Sequence, residues 1–115
     1  MANNIAFQPM GNCVVATAAS ANTQGNVTSI TAVSPCNQYY VFNPNKDNPV
    51  FVAYGLTANI TATIPDGNSA AVVAIPPYNA KVFTGPQVSN TQTVYVRIIS
   101  PHNNAQLYIT PGEGL

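Results

Sequence analysis

The chain is 115 residues long and carries six charged side chains, 5% of the total, where an ordinary soluble domain has about 25%. Three cations and three anions cancel, and 46% of the residues are hydrophobic. This excludes phosphate-driven nucleic-acid binding and charge-driven disorder, and the short apolar runs exclude a membrane-spanning helix, which needs about 20 apolar residues.

The first eleven residues hold Ile5, Phe7 and Met10 at uneven spacing around Pro9. They read as an extended arm or a first edge strand. Large apolar side chains on a free terminus are costly to leave in water. The arm is therefore expected to order only on a neighbouring subunit or shell. With no positive start and no long apolar stretch, this end is not expected to be a secretion signal, and a cytoplasmic origin is expected.

From residue 12 onward, short runs rich in Val, Ile, Thr and Tyr alternate at period two. They fall at 12–17, 26–33, 38–43, 50–54, 59–64, 70–75, 80–83, 92–99 and 105–110. In 92–99, Val94, Val96 and Ile98 oppose Thr93, Tyr95 and Arg97. In 59–64, Ile60, Ala62 and Ile64 oppose Asn59, Thr61 and Thr63. Between the runs stand a polar loop at 43–49, turn chemistry in Pro65-Asp66-Gly67-Asn68, and the strand-ending pairs Pro76-Pro77 and Gly85-Pro86. Ten prolines leave no window for a helix. Pro111-Gly112-Glu113-Gly114-Leu115 is expected to be an irregular tail.

About nine strands at this spacing predict one all-β domain over 12–110, an antiparallel sandwich of jelly-roll type without substantial helix.

Chemistry has little to work with. The single histidine, His102, sits in a polar turn, and the three carboxylates are scattered, so neither an acid–base pair nor a metal cluster is expected. Seven isolated glycines form no phosphate loop. Cys13 and Cys36 read as two small buried apolar side chains, left unpaired by a reducing compartment. The Asn26 and Asn59 glycosylation patterns carry no weight without a secretion signal. No cofactor and no catalysis are expected.

The polar remainder is Asn, Thr, Ser and Gln, which hydrogen-bond without a strong field. A surface of that kind suits a subunit packed among others. The aromatics around the 43–49 loop give the contact candidates. One of Tyr39 and Tyr40 must face outward, and Tyr54 lies across the loop, so the candidate interface is Ile5, Phe7, Met10, Tyr39, Tyr40 and Tyr54.

Three segments add a likeness: Asn48-Pro49-Val50-Phe51-Val52-Ala53-Tyr54-Gly55, then Ala74-Ile75-Pro76-Pro77 with Val82-Phe83-Thr84, and the closing Leu107-Tyr108-Ile109-Thr110-Pro111-Gly112-Glu113-Gly114-Leu115. Together they resemble the small β-rich virion accessory proteins of tailed bacteriophages, of the head decoration or cement type. The resemblance implies a jelly-roll or related sandwich, often a homotrimer on an icosahedral shell, partnered by the major capsid protein or other virion subunits. It also implies assembly in the bacterial host cytoplasm, location in the virion, and no catalytic activity. It supplies no site residues. Cys13 and Cys36 depart from the group's pattern and leave room for a tail, neck or connector subunit. A carbohydrate- or host-binding module using exposed tyrosines is the alternative from another class.

Overall fold

Runs of alternating β-branched and aromatic residues, cut short by proline and glycine, leave inter-strand ladders as the way to satisfy the backbone. The computed structural model describes residues 7–65 and 72–113. In it these runs form β1 (Gln8–Pro9), β2 (Val14–Ala18), β3 (Thr28–Ile30), β4 (Cys36–Asn43), β5 (Val50–Gly55), β6 (Val73–Ile75), β7 (Asn79–Val88), β8 (Val94–Ile99) and β9 (Ala105–Glu113). Among the described residues there is no helix.

All the pairings are antiparallel, in two sheets. The first runs β1-β9-β4-β7, with β2 continuing the row of β1 along the same side of β9; the second runs β3-β8-β5-β6. The expected all-β sandwich is therefore present. The two inner faces supply one core: Ala16, Tyr39, Val41, Leu107 and Ile109 from the first sheet, and Ile30, Val50, Val52, Ile75, Val94, Val96 and Ile98 from the second. The alternation of 94–98 is thus placed as its sequence pattern predicts.

Three expectations change. Residues 59–64 make no ladder; they cross the outer face of the second sheet, where Ala62 and Ile64 pack with Ala53, Ile99 and Phe51. Their alternation reflects one-sided burial alone. Residues 111–113 are no tail but the end of β9, pairing with β4 and β1. Pro111 is tolerated in this central strand because its carbonyl accepts from the Met10 N–H (2.8 Å). Its nitrogen faces the same side, at the break between β1 and β2 where no ladder asks for a donor. Likewise Gly85-Pro86 does not end β7. The pairing jumps from Gln38↔Thr84 to Cys36↔Val88, and the bulge takes in the proline.

The N-terminal segment departs from the arm picture as well. Met10 packs against the core and its carbonyl accepts from the Val33 N–H (2.7 Å), while residues 8–9 form the edge strand. Residues 7–10 therefore dock on their own domain rather than waiting for a partner. Ile5, the turn at 66–68, the start of the 70–75 run and residues 114–115 lie outside the described residues.

Two predictions test this packing. Val96→Ala should lower the unfolding free energy by about 1–3 kcal/mol through lost burial and a cavity, and Thr93→Ala by less than about 0.5 kcal/mol, measured by chemical denaturation. Deleting residues 1–10 should cost about 2 kcal/mol, because it strips Met10 from the core; an unchanged melting temperature would contradict the docking.

Candidate interaction surface

From Gln38 onward in β4, and along β9, odd-numbered residues point into the core, so even-numbered ones build the outer face of the first sheet. Register aligns them in rows. Val82, Tyr40 and Thr110 form one row; Ala80, Phe42, Tyr108 and Val15 form the next. Phe42 contacts Tyr78 (ring centroids 5.7 Å, 65°) and Tyr108 (6.2 Å, 29°). Phe7 lies against Tyr40 at 5.8 Å. Phe7 can lie there because its strand partner region carries Gly112, where a Cβ would collide with the Phe7 ring and the Gln8 carbonyl. Phe7, Pro9, Tyr40 and Thr110 enclose a shallow apolar cleft of about 230 Å³. Tyr40, Val15 and Tyr78 are 41%, 44% and 67% exposed. Tyr78 holds φ = 50°, an outlier for a bulky residue, with its N–H bonded to the Asn45 carbonyl (2.7 Å).

No described charge lies on this face. Lys46 and Asp47 sit in the loop between β4 and β5, and Glu113 ends β9. Lys81 stands opposite Val41 and so has inner-face parity on the edge strand β7. Arg97 lies on the far side of the second sheet, where its guanidinium donates to the carbonyls of Gly25 (2.7 Å) and Ile60 (3.1 Å). With Gln24 accepting from the Ala62 N–H (2.9 Å), Arg97 straps residues 60–62 over that sheet.

The remaining boundaries of the sandwich are guarded. β3 and β6 are three residues long, and β7 carries Lys81, Pro86 and a bulge, which are recognised devices against edge pairing. Along the β1–β2 row, the 31–33 segment covers Met10 and Gly11, and Gly25 lies against the Thr17 carbonyl. Among the described residues, no segment is laid across the outer face of the first sheet.

The predicted contact residues divide. Phe7 and Tyr40 lie on this face. Tyr39 and Tyr54 do not: Tyr39 is 1% exposed, its hydroxyl donates to the Pro86 carbonyl, and Phe83 stacks between the two rings at 5.5 Å and 5.2 Å. Met10 belongs to the core. Tyr108, Val15 and Tyr78 were not singled out from sequence, although Phe42 stands among the aromatics flanking the 43–49 loop, shares the parity of Tyr40 and, once paired, points to Tyr108.

No cluster of three metal-binding side chains forms among the described residues. Cys36 is a buried free thiol, as expected, pushed up in pKa by burial and by Glu113, whereas Cys13 is exposed, since it precedes β2 and lies outside the ladder. No family model, curated protein or solved structure matches this chain.

Burial, helped by Cys36 and Tyr54, pushes the Tyr39 phenol well above its ordinary value near 10. The folded state thus holds this proton more tightly than the unfolded state. Tyr39 contributes stability in full below about pH 10, and the contribution is lost as the pH rises further. Tyr39→Phe should cost about 1–2 kcal/mol at neutral pH by orphaning the Pro86 carbonyl, and should flatten the alkaline loss of stability, measured by denaturation from about pH 8 to 11.

Proposed function

We propose that this protein is a non-enzymatic structural subunit of a phage virion, a decoration or cement protein that stabilises the shell by packing among its neighbours. The strand connectivity fits the jelly-roll reading. Chain order carries β2 to β5 across alternate sheets, β5 and β6 pair within one, and β6 to β9 cross back. The observation that carries the functional reading is the open, aromatic, uncharged outer face of the first sheet. It is left beside edges that are each blunted or covered. A monomer kept in solution gains nothing from such a face, whereas a subunit in a lattice buries it.

The row Tyr78–Phe42–Tyr108 is no flat platform for a sugar ring, since Phe42 stands 65° from Tyr78. That favours packing by protein over a carbohydrate-binding role. The mechanism is associative: apolar area and neutral hydrogen bonds at each contact, multiplied over many sites.

The test is to mix the purified protein with capsids lacking it. Co-sedimentation and a raised capsid melting temperature are expected, and capsids that neither bind nor gain heat resistance would overturn the reading. Attachment should change less than about threefold between low and ~0.5 M salt, because ionic strength screens only charge. A steep loss over that range would place charge at the contact.

A further inference from the structure

We infer that the outer face of the first sheet is the docking site for a second copy of this chain, face to face about a two-fold axis. The inference rests on the structural role above and names the neighbour that covers the face.

The chemistry of the face is self-complementary. In a two-fold contact a patch meets its own image, so any carboxylate or ammonium on it is brought near its like. None of the described charges lies here. The polar groups present are the hydroxyls of Thr17, Tyr40, Thr84, Tyr108 and Thr110 and the amides of Gln38 and Gln106. Each of these both donates and accepts, so each can satisfy an identical group. Charged partners are selected by complementary charge, and this face offers none to read. Among the described residues, the surface of matching chemistry is the face itself.

Geometry sets the number of copies. A sheet face that packs on the same face of another molecule, about 10 Å away, is covered by that one molecule. Two copies close the contact, in place of the three-fold arrangement that the resemblance implies. Four strands about 4.8 Å apart and about six residues long give a plane of roughly 400 Å² per copy, or about 800 Å² for the pair, below the roughly 1,200 Å² at which stable specific interfaces begin and in the range of a weak, transient contact. The pair is therefore reversible and follows concentration, which a shell supplies locally.

Sedimentation analysis of the purified chain without capsids, from about 10 μM to 1 mM, tests this. The mass should rise from one chain to two and stop there. Tyr40→Asp and Val15→Asp, both at exposed positions on the face, should each weaken the pairing at least tenfold while circular dichroism shows a folded sandwich. Val33→Asp, at a position 77% exposed and away from the face, should leave pairing intact. If one of the two face variants fails to fold, the other decides. A single-chain mass throughout, a three-chain plateau, or face variants that pair like the original would each overturn the inference. Failure here with capsid binding intact leaves the structural role standing and assigns the face to the coat. Pairing without capsid binding would do the reverse.

Discussion

Every ladder among the described residues joins a strand from β1–β5 to one from β6–β9. β2 meets β9, β3 meets β8, β4 meets β7 and β5 meets β6, as if one long hairpin had been rolled up. The pairings β4–β9 and β5–β8 then close each sheet. The rest of the structure depends on this constraint. No strand finds a partner close in sequence except β6 on β5, so hydrophobic burial and hydrogen bonding must arrive together across long loops. Folds dominated by such non-local pairing form slowly. β9 bears the largest share, since β1, β2 and β4 all pair with it, and its proline is placed where no donor is needed.

The two sheets use their outer faces differently. On the second, a strap of residues is laid across Ala53 and Ile99, with Arg97 fixing it through two backbone carbonyls. A guanidinium suits this work because its planar donors reach carbonyls on two separate segments. In a chain so poor in acids, backbone oxygen takes the place of a carboxylate partner. Asn43 plays a related part at the end of the sandwich, donating to the carbonyls of Asn48, Ile75 and Pro76 and accepting from Asn45. Among the described residues the first sheet has no such strap. Its outer face keeps its aromatics in view, and this asymmetry gives the molecule a direction.

How much of this was legible depended on what each signal reports. Val94, Val96 and Ile98 were read correctly because alternation and burial coincide there. At 59–64 the same alternation reports burial on one side without a ladder, and periodicity alone cannot separate the two. Proline and glycine at 85–86 and 111–112 looked like stops, yet a bulge and a gap in the neighbouring row absorb them, and both depend on distant strands. The same limit applies to the candidate interface. Adjacent tyrosines had to split between faces, but which of the two pointed inward was set by the pairing of β4 with β7 and β9, which turns Tyr39 and Val41 to the core together. Tyr108 joined the face only through its register with Phe42.

The rolled hairpin has a further meaning for the integrity of the chain. The connection between β5 and β6 divides the molecule into two pieces, and within neither piece does one strand hydrogen-bond to another. Each alone would be a set of orphaned edges. Side by side they would interleave strand for strand, with both sheets alternating between the pieces from edge to edge. The monomer is in this sense a complex of its own halves held by a tether, and an interrupted copy keeps no ladder of its own among the described residues.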